Sequence, residues 1–343
     1  MAKTVLVTGA GGYIGSVLVP KLLNKGYHVK AIDRFFFGTD KLSSHGNLTM
    51  IKEDCRRLTE EHFEDVDAVI DLVAISNDPS GELFQEATYQ INHLARANCA
   101  RLAKNAGVRR YILPSSCSIY GFQDNGVIVD ELAPTNPLTT YAKANEQAER
   151  DILPLADATF TAVVIRQATV YGYSPRMRFD LAINGMTLGA WEKGDIPLMR
   201  DGTQWRPMVH VQDTTDVMCL LLEAEETAIN GQIFNVGSDR NNYQLGQLAE
   251  EIAEALPIDV TISWYGDPDH RSYRVNFEKI EKTLNWKAKW TAADGALEIY
   301  DKLVTGGLVK NEQTITLGWY QELSKWHKII KECEMYGGII SVG

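Results

Sequence analysis

The chain has 343 residues, 45% hydrophobic and 23% charged, which is enough apolar material for an ordinary core and excludes a disordered polymer. Its formal net charge is −11 with no long basic run, which argues against a nucleic-acid or anionic-membrane partner. Five scattered cysteines (Cys55, Cys99, Cys117, Cys219, Cys333) form no CxxC pair, so neither a metal site nor a disulfide framework is expected, and no apolar run reaches the roughly 18 residues of a membrane span.

The sequence opens directly on a strand at 4–8 (TVLVT), with no signal-peptide pattern before it, and a reducing, cytoplasmic setting is expected. Helical spacing follows over 14–24, then a strand at 29–32 and another at 69–73 (VIDLV). A helix is predicted over 83–105, closing at Gly107, with strands at 110–114 (RYILP) and 162–165 (AVVI). Strands interleaved with helices in this way predict βαβ units, hence a parallel sheet covered on both faces. After Arg166 the pattern loosens. Gly, Pro and Trp cluster between Tyr171 and Pro207, and helices return at 213–225, 245–256 and 276–284. Too few strand signals remain for a second full sheet. The fold class is therefore α/β: a doubly wound, Rossmann-type parallel sheet over 1–168, with segments of the second half woven in, and a smaller C-terminal lobe over 169–317. Residues 318–343 carry a helix over 318–336 and a tail, GGIISVG, expected to be loose.

Gly9, Gly12 and Gly15 stand between the first strand and the first helix, flanking Tyr13 and Ile14. Glycine allows a tight turn and close backbone approach to a pyrophosphate, which the free N–H groups and helix dipole then hold. Asp33 ends the second strand, where a carboxylate accepts a ribose 2′-hydroxyl and repels a 2′-phosphate. NAD is thus expected over NADP, although the neighbouring Arg34 works against that preference.

With this GxxGxxG spacing the chain resembles the extended short-chain dehydrogenase/reductases, a family of nucleotide-sugar epimerases, dehydratases, decarboxylases and reductases. The resemblance runs over about 1–303. It implies that Asp54, with Cys55 beside it, contacts adenine, that Leu72-Val73-Ala74 and the following Ser76 line the cofactor, and that Asn92 braces the active-site strand. Ser115-Ser116-Cys117-Ser118-Ile119-Tyr120-Gly121 is similar to the family's serine-rich strand end, and Asn235-Val236-Gly237-Ser238 to its NVGS turn. In such enzymes a hydride moves between a sugar carbon and the nicotinamide while a tyrosine takes the hydroxyl proton. The resemblance implies Tyr141 as that base and Ser116 as the hydroxyl that bonds the reacting group. The family pattern is Tyr-x-x-x-Lys, its lysine holding the nicotinamide ribose and lowering the tyrosine pKa. Here Asn145 stands in its place, able to bond ribose hydroxyls but carrying no charge. Lys143 lies about 200° round the helix and is expected to point away.

The same resemblance narrows the substrate. A 4,6-dehydratase carries Asp-Glu where this chain has Cys117-Ser118, so that elimination lacks its acid and base. Cys117 is placed with Ser116 among the substrate-binding residues, although it is read as a packed small residue more readily than as a proton donor to substrate. The segment 201–213 resembles the family's G-x-x-x-R-x-x-x-x-V-x-D motif, which implies Arg206 on a ligand diphosphate. Arg271, in Asp269-His270-Arg271, matches the second such arginine, and Thr169 stands where relatives have a sugar-contacting asparagine. The 169–317 lobe is then a substrate-binding lobe. His210 is expected to be structural and Asp213 to cap the following helix. The implied activity is an NAD-dependent epimerase of a nucleotide-diphosphate sugar, most simply at C4. An NDP-sugar oxidoreductase such as a 4-ketoreductase, and a non-catalytic NAD-binding protein, are the alternatives. Helices over 83–105 and 141–153 match those forming a dimer bundle in the family, so a homodimer is expected by analogy.

Overall fold

The computed structural model describes residues 3–124, 126–267, 271–335 and 337–339. Seven strands form the main sheet, numbered within it: β1 (Thr4–Thr8), β2 (His28–Asp33), β3 (Leu48–Lys52), β4 (Ala68–Asp71), β5 (Arg110–Ser116), β6 (Thr161–Gln167) and β7 (Ile233–Val236). Their order across the sheet is β7-β6-β5-β4-β1-β2-β3, and every pairing is parallel. Alternation explains why both faces are covered. Val5 and Val7 of β1 meet Leu18 and Leu22 on one face, while Leu6 meets Val69, Tyr111 and Ala100 on the other. Each such side chain fully removed from water contributes about 1.5–3 kcal/mol. On the second face Ala97, Ala100, Ala103 and Ala148 are all buried, and their small side chains let the helices Arg96–Asn105 and Thr140–Ile152 lie close to the sheet.

The strand order reverses between β1 and β4, and ligands of open α/β sheets bind at that switch point, outside the carboxyl ends of the strands. The glycine turn after β1 and the 72–74 stretch after β4 are consequently neighbours. A Cβ on Gly9, whose φ is +63°, would lie 2.8 Å from the Leu72 carbonyl carbon, so that position requires glycine twice over. The first helix runs Gly15–Asn24.

Several expectations need correction. The helix over 83–105 is four pieces: Asp78–Leu83, Gln85–Thr88, a π-helical Tyr89–Ala95 and Arg96–Asn105. The break falls at Phe84, held at φ −120° and ψ 52°, outside helical values. The strand at 69–73 stops at Asp71, after which Val73 N donates to Thr8 Oγ1 at 3.1 Å and ties the chain to β1. Strands β3 and β7 went unpredicted. β3 is a sheet edge with largely exposed side chains, and β7 is four residues ending in the NVGS turn. Short strands outside the main sheet form one sheet of three (Thr169–Tyr171, Trp205–His210, Asn242–Gln244) and two of two, one of which pairs Arg274–Val275 with Ile128–Val129 of the first half. Helices Ala182–Lys193 and Ala292–Val304 were also missed. The first carries Gly185 and Gly189 packed against Phe179 O and Asp195 O, which blurs its pattern. The last helix is Thr316–Cys333. Tyr336 and residues 340–343 of the predicted helix and tail lie outside the described residues. Among the described residues no helix is long and apolar enough to cross a membrane.

Candidate active site

One cleft of about 990 Å³ runs along the carboxyl ends of the main sheet. At one end it is lined by Gly9, Gly12, Tyr13, Ile14, Gly15, Asp33, Arg34, Asp54, Cys55, Leu72, Val73, Ala74 and Ser76, and at the other by Ser116, Tyr141, Thr169, Arg206 and Arg271. The second half of the chain closes over the glycine turn. Tyr13 Oη donates to Gly172 O at 2.6 Å, and Ser174 Oγ donates to Tyr13 O at 2.7 Å.

The dinucleotide end is backbone shaped by a few side chains. A Cβ on Gly15 would come within 2.5 Å of the Gly9 and Ala10 carbonyl oxygens, so the turn closes only around glycine. Asp33 takes Gly11 N at 3.0 Å on Oδ2 and Phe35 N at 2.7 Å on Oδ1. Burial pushes its carboxyl up and these backbone donors pull it back. Each oxygen keeps a lone pair for a ligand hydroxyl. Arg34 is drawn aside: Nη1 donates to Asp54 Oδ2 at 3.0 Å and the guanidinium covers the Phe36 ring. Asp54 is also bound by Arg56 Nη2 at 2.6 Å, which brings its carboxyl down to about 2. Its carboxylate is therefore held by two guanidiniums at the cleft wall. Asn92 does not line the cleft. It exchanges two hydrogen bonds with the Ile75 backbone, at 2.8 and 2.9 Å, and so holds the loop after β4.

At the other end β5 delivers Ser116 and the helix Thr140–Ile152 delivers Tyr141 in its first turn, capped by Thr139 Oγ1 accepting from Ala142 N at 3.2 Å. The Ser116 hydroxyl stands beside the Tyr141 phenol on the cleft wall and accepts from Ser118 N at 3.1 Å. Burial pushes that phenol above its ordinary 10 and the Asp78 charge adds to this, while Ser116, Arg96 and Arg178 oppose it. The helix Asp78–Leu83 presses on the tyrosine at Gly81, where a Cβ would lie 3.2 Å from Tyr141 Cβ. Lys143 is exposed on the far side, as its position on the helix predicts. Two expected residues are corrected. Cys117 faces inward, its Sγ donating to Arg166 O at 3.2 Å, and is absent from the cleft wall, whereas Ser118 reaches it with an unpartnered hydroxyl. Asn145 is also buried behind the wall. Its Oδ1 accepts from Arg96 Nη1 at 2.9 Å and its Nδ2 donates to Tyr141 O at 2.9 Å, which leaves the side chain engaged below the surface rather than offered to a ribose.

Arg206 and Arg271 are neighbours: Arg206 Nη1 donates to Arg271 O and its guanidinium lies over Tyr273, while Arg271 pairs with Asp78. Asp269 and His270 of that motif lie outside the described residues. His210 is fully buried, stacked on Trp290 and bonded to Glu298 at 3.0 Å, and its ring caps the helix Val211–Glu223 by accepting from Gln212 N. Asp213 is thus not the cap. It lies inside that helix and receives Lys289 N and Trp290 N.

Three cleft residues carried no assigned role in the sequence. Arg176 is 4% exposed, lies 3.5 Å over the Phe37 ring, and keeps Nε and Nη1 without a partner; burial brings its pKa down to about 10. Arg178 is paired with Asp180 at 2.6 Å and donates to Ser76 Oγ at 3.0 Å. Their signal was the local density of charge at Arg176, Arg178 and Asp180. Tyr320, from the C-terminal helix, packs on Phe36, Phe37 and Phe84, and with Trp326, His327 and Ile330 it roofs the cofactor end. Trp319 Nε1 donates to Phe36 O at 2.7 Å. A buried cation with unused donors, a turn that admits only glycine, and an acid with spare lone pairs together fit a dinucleotide.

Residues 5–237 match the model of a family described as the NAD dependent epimerase/dehydratase family. The chain is 28% identical over 333 residues to UDP-arabinose 4-epimerase 1 of Arabidopsis thaliana, covering 86% of this chain and 77% of that protein. It is 25% identical over 311 residues to UDP-glucuronic acid decarboxylase 1 of the same plant, covering 85% and 67%. Among solved structures, MoeE5 in complex with UDP-glucuronic acid and NAD superposes with a TM-score of 0.79 at 26% identity, covering 88% of this chain and 99% of that one.

Proposed function

This chain belongs to the NAD dependent epimerase/dehydratase family and NAD is its cofactor; from that premise we propose that it is a nucleotide-sugar epimerase acting at one sugar carbon, most simply C4. When bound, NAD supplies a reversible hydride acceptor at that carbon. The protein's own share is proton handling and grip. Tyr141, with Ser116 beside it on the cleft wall, takes the proton of the sugar hydroxyl and gives it back, acting as base and then acid at one oxygen. Ser116 and Ser118 offer hydroxyls to the reacting group from the strand end. Arg206 and Arg271 grip the diphosphate, since planar guanidinium donors match phosphate oxygens. Asp33, the glycine turn and Arg176 hold the dinucleotide.

The observation that carries this reading is the make-up of the cleft around Tyr141. A phenol–hydroxyl pair shares it with two arginines, while positions 117 and 118 supply a buried thiol and a hydroxyl instead of carboxyl groups. Proton transfer at one hydroxyl has its residues there; elimination lacks its acid and base. The relatives whose names carry 4-epimerase activity on a UDP-sugar support the same choice. The test is to purify the chain, identify the nucleotide it carries by mass spectrometry, and incubate it with UDP-sugars. Interconversion of 4-epimers with no net change in NADH absorbance is expected. Stoichiometric NADH consumption or formation would replace this reading with the oxidoreductase, and no turnover across the panel would replace it with a non-catalytic binder.

A further inference from the structure

Asn145 stands where the resembled family keeps its lysine, yet the position is not electrically empty. Arg96, the first residue of the helix Arg96–Asn105, is 1% exposed and ends against Asn145. Its Nη1 donates to Asn145 Oδ1 at 2.9 Å, and Asn145 Nδ2 donates to the Tyr141 carbonyl oxygen at 2.9 Å. Nη2 donates to Asp71 O at 3.0 Å and to Pro114 O, which fixes the guanidinium between the ends of β4 and β5. A guanidinium stays charged even when buried, and in a poorly polarisable interior its field reaches further than it would in water.

We infer that Arg96 is a positioning residue that supplies, from the adjacent helix and through Asn145, the fixed positive charge that the lysine of the Tyr-x-x-x-Lys pattern supplies in related enzymes. This rests on Tyr141 being the base. The exchange is specific to this pair. A lysine at 145 would place two cations against one another in a buried site, so Arg96 fits Asn145 and does not fit the family's lysine. The division of labour differs from the family's: Arg96 lies behind the cleft wall, so it stabilises tyrosinate without touching a ribose.

The surrounding charges are compatible with this role. Asp71 of β4 lies 3.7 Å from Arg96 Nε and offsets part of its field; its carboxylate is solvated by the Thr8 and Tyr111 hydroxyls, and the Nη1 edge of the guanidinium faces Asn145. Cys55 and Cys99 pack near Arg96, and burial pushes both thiols up, which keeps them neutral. One turn beyond Asn145, Glu149 is taken by Arg166 at 2.8 Å. Around the phenol, Asp78 opposes ionisation, while Ser116, Arg96 and Arg178 favour it.

The test follows phenol ionisation in the full-length, NAD-loaded protein, as the tyrosinate absorbance difference between each variant and the same variant carrying Tyr141→Phe. It requires no substrate. Arg96→Met is expected to raise the Tyr141 midpoint by about one pH unit or more, a roughly tenfold loss of tyrosinate near neutrality. Arg96→Lys, which keeps the charge, is expected to leave the midpoint near its original value. Asn145→Lys alone is expected to lower the unfolding temperature, and Arg96→Met combined with Asn145→Lys to restore both stability and midpoint. If Arg96→Met lowers only the unfolding temperature and leaves the midpoint in place, Arg96 is a structural brace and the inference is overturned. If Arg96→Met does not fold, the double variant decides: an unmoved midpoint supports the exchange, and a raised midpoint or an unfolded chain overturns it. Failure of the underlying reading looks different, because Tyr141→Phe would then keep full turnover whatever stands at 96.

Discussion

The two ends of the cleft are built in different ways. The cofactor end is main chain: a glycine turn, the carbonyls it packs against, and Asp33 held by two backbone N–H groups. The end around Tyr141 is side chain: charged groups from Asp78, Arg206 and Arg271 that meet only after folding. Backbone shaped by glycine accepts no substitution by degrees, because a Cβ either clears a carbonyl oxygen or does not. A wall of ion pairs can be altered one charge at a time, each change worth a limited amount. The first design holds one constant partner, and the second allows a family to change its substrate.

This contrast can be broken or sharpened by experiment. The largest effect is expected where the two ends meet. Tyr141→Phe should cut turnover by about 10²- to 10⁴-fold while the protein still copurifies with NAD; loss of NAD along with activity would mean the phenol serves binding instead. Gly15→Ala should abolish NAD copurification and, through overpacking, lower stability by about 1–3 kcal/mol; a variant that keeps its nucleotide contradicts the all-or-none character of that end. Arg206→Ala should raise KM for the nucleotide sugar roughly 10- to 150-fold, the equivalent of about 1.5–3 kcal/mol for a charged hydrogen bond, and leave NAD content intact. Asp33→Ser should shift the NAD-over-NADP preference by about tenfold or more, read from the binding of each dinucleotide, whereas an unchanged ratio would show that Arg34 and Phe36 set the choice. The smallest effect concerns acid stability. Burial alone would raise the Asp180 carboxyl, but Arg178 and Asn77 carry it down to about 2. Its folded pKa is depressed, so its stabilisation is present above the ordinary carboxylate range near 4 and is lost as the pH falls toward 2. Asp180→Asn should flatten that limb in a thermal-unfolding series, and an unchanged limb would show that other carboxylates govern it.

The same division explains what the sequence made legible. The glycines at 9, 12 and 15 and the acid at 33 belong to one βαβ unit, where local spacing dictates geometry, and they line the cleft as their spacing implies. Tyr141 and Ser116 were named from the resemblance to the family's motifs, and the structure puts one at a helix start and the other at a strand end, both on the cleft wall. Asn145 and Cys117 were located correctly along the chain but not in depth: which side of a wall a side chain takes depends on packing against other elements, here Arg96 and the carbonyl of Arg166. Arg176 and Tyr320 stayed without a role for a related reason. Nothing near Tyr320 in sequence reveals that it will meet Phe36, Phe37 and Phe84, more than two hundred residues earlier in the chain. β3 and β7 escaped because an exposed edge lacks clean alternation and four residues are too few for a period to show.

The roof that Trp319 and Tyr320 make with Phe36 and Phe37 bears on how long a guest stays. It is anchored at its start, where Thr316 Oγ1 accepts from the Arg176 guanidinium, and one turn on, where Tyr320 meets Phe36 and Phe84 edge-on and Phe37 at a tilt, so it lifts only when several contacts part together. Residence time on that side is then expected to follow the lifting of this eighteen-residue helix. Under the epimerase proposed above a slow exit there is no handicap, because the redox reagent is restored within every cycle and only substrate and product need to exchange quickly.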